Sequence, residues 1–134
     1  MIKRLVLSSK HANELKRFAI DSLPLESCAL LLGKIDEDKA IVSRVIFAKN
    51  ADKSQTTFSI EPNELLDAYK EAENSGLDIV GIFHSHPAPA RPSATDTKYM
   101  EINPVAWLIM STTENELMAF LYDSTIRKLE LVVS

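Results

Sequence analysis

A single cysteine, Cys28, occurs among the 134 residues, so no internal disulfide can form and a reducing compartment suits the chain. Glycine is scarce, at 3 residues, and proline stands at 6, which excludes collagen-like and low-complexity architectures. No apolar run approaches the roughly 20 residues that a bilayer-spanning helix requires. The opening stretch, MIKRLVLSSK, starts like a secretory leader but turns polar after Leu7, too early for its apolar segment. A basic excess is missing as well. Lys and Arg number 15 against 19 Asp and Glu, a formal net charge of -4, which disfavours a nucleic-acid binder that neutralises phosphates. What is present, 46% hydrophobic and 25% charged residues, is ordinary for a folded domain. One domain over residues 1–134 is expected, cytoplasmic, with neither membrane nor nucleic acid as a partner.

The pattern along the chain is of alternating elements. It predicts a short strand over Lys3 to Leu7, then a helix capped by Ser8 or Ser9, with Ala12, Leu15, Phe18 and Ala19 inward and Pro24 beyond its end. Two apolar runs, Cys28 to Leu32 and the β-branched-rich Ala40 to Phe47, flank the polar Asp36-Glu37-Asp38 and read as a hairpin. A loop from Lys49 to Gln55 leads to a short strand over Thr57 to Ile60. Pro62 suits the first turn of a second helix, with Leu65, Leu66, Tyr69 and Ala72 inward and Gly76 past its end. Asp78 to His84 reads as a buried strand, Ser93 to about Ile102 as a third helix, and three closing strands follow Val105. Strands and helices mix without regular βαβ alternation, which indicates an α+β domain with helices packed on a sheet.

Functional groups concentrate in one stretch, Gly81-Ile82-Phe83-His84-Ser85-His86-Pro87 followed by Arg91-Pro92-Ser93-Ala94-Thr95-Asp96. His84 and His86, two apart at a strand end, project to the same side. Imidazole is the commonest zinc ligand among side chains, and Asp96 is within loop reach as a third, oxygen donor. Three protein ligands leave a fourth tetrahedral position open, the pattern of catalytic zinc. Ser93 and Asp96 taken alone are also explained by a helix capping box, and a His-x-His pair taken alone by ordinary polar contacts at a strand end. Their joint occurrence at fixed separation arises by chance on the order of once in ten million starts.

The run His84-Ser85-His86-Pro87 with Ser93-Ala94-Thr95-Asp96 resembles the JAMM motif of the MPN+ (JAB) metalloprotease family. The likeness extends to Glu26 in Leu23-Pro24-Leu25-Glu26-Ser27-Cys28-Ala29-Leu30-Leu31-Leu32-Gly33, to Asn50, to Phe58-Ser59-Ile60-Glu61-Pro62-Asn63-Glu64-Leu65 and to Val80-Gly81. The resemblance implies a single-domain MPN fold, a curved mixed β-sheet flanked by helices, cytidine-deaminase-like. It implies one Zn2+ per chain held by His84, His86 and Asp96. It further implies Glu26 as the general base that relays a proton from water to the leaving amine, and Ser93 as the donor to the oxyanion. Sequence spacing by itself could not have selected Glu26 among 19 acidic residues.

By the same resemblance the substrate is a ubiquitin-like protein, of small archaeal modifier or sulfur-carrier type, or its conjugates, cleaved after a C-terminal Gly-Gly. The alternatives are a hydrolase releasing an amino acid such as cysteine from a sulfur carrier, and a non-catalytic MPN scaffold. The loop Pro87 to Pro92 is one residue shorter than the family's usual spacing, which bears on the lip of the site. No room exists for the long insertion of some eukaryotic members, so the chain looks like the compact prokaryotic form. Segments Gln55 to Ile60 and Pro87 to Pro92 are the candidates for lining a slot that admits glycines. Oligomeric state is left open, a homodimer among the options. Elsewhere, Cys28 reads as a small buried hydrophobe, Trp107 as core and His11 as a solvated helix residue.

Overall fold

The computed structural model describes residues 1–52 and 59–134. Half of the strand expected over Thr57 to Ile60, and most of the lining segment Gln55 to Ile60, lies outside the described residues. Ile60 itself forms an isolated antiparallel bridge with Asn50. The elements, in chain order, are β1 (Arg4–Leu7), α1 (Ser9–Ser22), β2 (Cys28–Asp36), β3 (Lys39–Ala48), α2 (Pro62–Ser75), β4 (Asp78–His86), α3 (Ala94–Ile102), β5 (Ala106–Ser111), β6 (Glu116–Asp123) and β7 (Thr125–Val133). Among the described residues, no helix is long and apolar enough to cross a membrane.

The seven strands pair in the order β1-β3-β2-β4-β5-β6-β7 and the sheet closes on itself. It is mixed: β1 runs parallel to both β3 and β7, and β4 parallel to β5, while the remaining pairs are antiparallel. The family resemblance implies a curved sheet, and here the curvature runs to closure. Closure comes from β1, a four-residue strand that bonds to neighbours on both sides and so leaves no open edge. Arg4 reinforces this seam, its guanidinium reaching Asp38 at 2.8 Å and Glu130 at 3.1 Å. These pairs are half exposed and contribute at most about 1 kcal/mol each.

Alternation along the strands sends side chains to two separate cores. Ala29 and Leu31 of β2, Phe83 of β4 and Leu108 and Met110 of β5 pack with Ala12, Leu15 and Ala19 of α1. Cys28, Leu30 and Leu32 of β2, Ile82 of β4 and Trp107 and Ile109 of β5 pack with Ala68 and Ala72 of α2 and Met100 of α3. Helices therefore flank the sheet, α1 in one core and α2 and α3 in the other. Ser8 caps α1, its hydroxyl accepting the His11 N–H at 3.1 Å. Gly76, with φ at +67°, closes α2 in the left-handed conformation.

The inward face of α2 differs from expectation. Ala68 and Ala72 are buried and Leu65 is half-buried, but Leu66 and Tyr69 are 52% and 56% exposed. Leu66 and Tyr69 each follow a sheet-facing residue by one position, a rotation of about 100° away from the sheet. Small alanines let the helix approach closely, so the bulkier pair is left outside. His11 also departs from expectation: it is half-buried, and its Nδ1 is buried without a hydrogen-bond partner among the described residues.

Candidate metal centre

The end of β4 is held from both sides, antiparallel to β2 and parallel to β5. In that frame His84 and His86 share one face and Ser85 takes the other. Register with β2 pairs Cys28 with His84, and one step further Ser27 meets Ser85. There the Ser85 N–H donates to the Ser27 carbonyl at 3.0 Å, the Ser27 N–H to Ser85 Oγ at 3.1 Å, and the two hydroxyls lie 2.6 Å apart. This buried clamp fixes the chain entering β2 against the histidine strand, and so brings Glu26 to the site.

The third donor comes from the start of α3. Ser93 is the N-cap, with its Oγ accepting the Asp96 N–H at 3.1 Å while the Asp96 carboxylate accepts the Ser93 N–H at 2.9 Å. The capping box is therefore real, yet it does not account for where Asp96 sits. Capping carboxylates on a surface helix have no need of burial, whereas Asp96 is 5% exposed and faces both histidines. Its Oδ2 lies 3.1 Å from His84 Nε2 and 3.8 Å from His86 Nε2. One donor atom from each residue falls within 4.8 Å of the others. Donors on a single tetrahedral zinc, at 2.0–2.1 Å from it, sit about 3.3 Å apart, a value these separations bracket. Two neutral imidazoles and one carboxylate are also a suitable donor set, so His84, His86 and Asp96 can hold a metal ion.

The buried charges around the cluster act on one another. Burial works against the charged form of His84, but Asp96 and Glu26 on either side of the ring outweigh it and raise its pKa above the ordinary histidine value. Burial likewise opposes ionisation of Asp96. The bonds from His84 and Ser93 prevail and hold its carboxyl below the usual range. The His84 ring is further braced by Trp107, edge-on with centroids 6.2 Å apart. The indole N–H in turn donates to the Asn103 carbonyl at 3.1 Å.

Glu26 is buried at 6% exposure, with Oε1 3.7 Å from His84 Nδ1, the nitrogen turned away from Asp96. Its backbone carbonyl accepts a 3.1 Å hydrogen bond from the Asn50 amide, whose oxygen accepts the N–H groups of Asp52 and Ser59. Beside the three donors lies a cavity of about 390 Å³ lined by Glu26, His86, Ser93 and the Pro87–Pro92 loop through Pro87, Ala88, Pro89, Arg91 and Pro92. All five residues singled out in the sequence thus come together around one metal-sized cluster and one opening. Cys28 and Trp107 are core, as expected. Burial, aided by the negative charges of Glu64, Asp52 and Glu26, pushes the Cys28 thiol up to about 12. Sequence reasoning missed the Ser27–Ser85 clamp and the part played by Asn50 in anchoring Glu26. Neither leaves a spacing signal, because both depend on which strands become neighbours.

Comparison with known proteins shows the family and the fold. The family profile described as prokaryotic homologs of the JAB domain matches residues 8–122. A desampylase of Pyrococcus furiosus is 41% identical over 93 residues, a match covering 69% of this chain and 64% of that protein. A CysO-cysteine peptidase of Mycobacterium tuberculosis is 30% identical over 111 residues, covering 82% of this chain and 75% of that protein. A probable TtuB-protein conjugate cleaving protease of Thermus thermophilus is 36% identical over 87 residues, covering 63% of this chain and 55% of that protein. Among solved structures, a protein of Desulfitobacterium hafniense superposes with a TM-score of 0.87 at 35% identity, covering 97% of this chain and 92% of that one.

Proposed function

The chain belongs to the family of prokaryotic homologs of the JAB domain, and from that premise we propose that it is a zinc-dependent peptidase. Its substrate in this reading is a ubiquitin-like protein, cleaved at the amide that follows a C-terminal Gly-Gly. The observation that carries the reading is the convergence of His84, His86 and Asp96 next to a cavity that Glu26 and Ser93 also line. The names of the relatives, a desampylase and a conjugate-cleaving protease, support the substrate class. A non-catalytic scaffold has no use for three buried metal donors beside an open cavity. We extend the proposal to the architecture. A mixed sheet flanked by helices, and donors from a strand end and a helix start, supports the cytidine-deaminase-like class and one functional unit over residues 1–134.

His84, His86 and Asp96 would hold the ion. Zinc in that position supplies Lewis acidity, making water more acidic and polarising the scissile carbonyl. Glu26 accepts a proton from the attacking water and returns it to the departing nitrogen. One C–O bond forms and the C–N bond breaks, so amide and water become a carboxylic acid and an amine. The Ser93 hydroxyl uses a lone pair to cap α3, which leaves its proton to donate to the developing oxyanion. Asn50 and the Ser27–Ser85 clamp hold Glu26 in place for this transfer.

Glycines suit the tail because they let its backbone approach the metal past the short proline-rich loop. The experiment is kcat/KM for model conjugates ending in Gly-Gly or Gly-Val, with protein loaded with zinc. The reading expects valine to be rejected by well over tenfold, about 1.4 kcal/mol or more of transition-state binding. Equal rates would leave a generic metallopeptidase. Which amine departs, a lysine side chain or a single amino acid, depends on what the far side of the cavity recognises.

A further inference from the structure

Among the described residues, the cavity beside the metal cluster is lined by one cation, Arg91. The chain has five arginines, and four of them are neutralised locally. Arg4 pairs with Asp38 at 2.8 Å, Arg17 with Asp21 at 3.8 Å, Arg44 with Glu71 at 2.7 Å and Arg127 with Asp123 at 3.8 Å. The Arg91 guanidinium has no hydrogen bond or ion pair among the described residues. Glu114 and Glu116 line a neighbouring cavity of about 250 Å³ with it, yet neither comes within ion-pairing distance. The residue is also rooted at the site. Its carbonyl lies 3.3 Å from His86 Nε2, and its N–H donates to the Pro89 carbonyl at 2.7 Å, which closes the loop. The shortened loop therefore presents an unpaired guanidinium at the opening in which the bond would be cut.

A guanidinium offers a planar fork of donors that matches a carboxylate. The acyl side of the substrate, an extended glycine tail, has no charge to place there. A lysine side chain in a conjugate carries no carboxylate near its scissile nitrogen either. A single amino acid attached through its α-nitrogen does, one carbon away. Resting on the function proposed above, we infer that Arg91 is a carboxylate subsite, and that the favoured leaving group is one terminal amino acid with a free α-carboxylate.

The test uses a ubiquitin-like protein whose Gly-Gly tail is extended by one alanine, prepared as the free acid and as the C-terminal carboxamide. Binding of both forms to zinc-loaded Glu26→Gln protein is measured by calorimetry, where the tail stays uncut, and repeated with Arg91→Gln and Arg91→Lys added. The free acid should bind about tenfold more tightly than the carboxamide, in line with a charge-assisted bidentate contact. That ratio should fall towards one in Arg91→Gln and lie between the two in Arg91→Lys. Equal affinity for both forms, with the zinc-loaded native protein cleaving each, overturns the subsite and leaves the proposed function standing. Failure of the native protein to bind or cleave either form overturns both.

Discussion

Replacing Ser93 separates the helix cap seen in the structure from the oxyanion-donor role in the proposed function. Ser93 Oγ accepts the Asp96 N–H at 3.1 Å and so caps α3, while the residue lines the cavity shared with Glu26 and His86. Ser93→Ala removes both. Loss of the cap costs about 1 kcal/mol, which lowers Tm by about 3–5 °C for a chain of this size. Loss of an oxyanion donor lowers kcat by about 10²–10³-fold. Ser93→Gly divides these effects, because glycine is a tolerable N-cap and costs only a few tenths of a kcal/mol, yet it too lacks the hydroxyl. Ser93 has φ at −78° and ψ at 173°, a conformation open to any residue, so neither variant is strained. Thermal melts and steady-state rates on a Gly-Gly conjugate should show Tm falling clearly only in Ser93→Ala and kcat collapsing in both, with KM little changed. If Ser93→Gly kept near-native kcat, Ser93 would be a helix cap and nothing more.

Glu26→Gln should retain zinc and lose at least about 10²-fold in turnover; weakened zinc binding with turnover otherwise intact would instead make Glu26 an orienting partner of His84 Nδ1, 3.7 Å away. With its pKa pushed up to about 12, Cys28 holds only about one thiolate in 10⁴ at pH 8, so a thiol reagent should label the native protein far more slowly than the unfolded chain. Rapid native labelling would show that the Cys28 site opens. Gly33→Ala would place a Cβ 1.8 Å from the Ile41 carbonyl oxygen, an overlap no rotamer can relieve. Denaturant unfolding should show a loss of about 3 kcal/mol or more, and unchanged stability would mean that β3 moves freely at this bulge.

Local signals carried much of this fold. The hairpin of β2 and β3, the run of β4 and the caps at Ser8 and Ser93 follow from alternation, turn residues and hydroxyls placed before apolar spacing. Closure was not legible, because it depends on β1 meeting a strand about 126 positions away, Arg4 opposite Glu130. Leu66 and Tyr69 were misplaced since apolar character alone does not tell a sheet-facing residue from one turned a third of the way round the helix. At the site, the histidine pair and the Ser93–Asp96 box stood out by spacing. Glu26 did not: 58 residues separate it from His84, and the two meet only through the β2–β4 register. The family resemblance supplied what spacing could not. Arg91 lies in the functional stretch of the sequence, but spacing gives it no role; its lack of an ion pair among the described residues shows only beside the four paired arginines.

The central claim is that His84, His86 and Asp96 form a metal centre that drives cleavage after Gly-Gly. Zinc titrated into chelator-stripped protein, with cleavage of a Gly-Gly conjugate followed by intact mass, tests it most directly. Activity should be absent without metal, rise in proportion to added zinc and level off at one equivalent per chain, with His84→Ala and Asp96→Ala unresponsive. Full activity in the stripped protein, or zinc bound at one equivalent by both variants as by the native chain, would contradict the account.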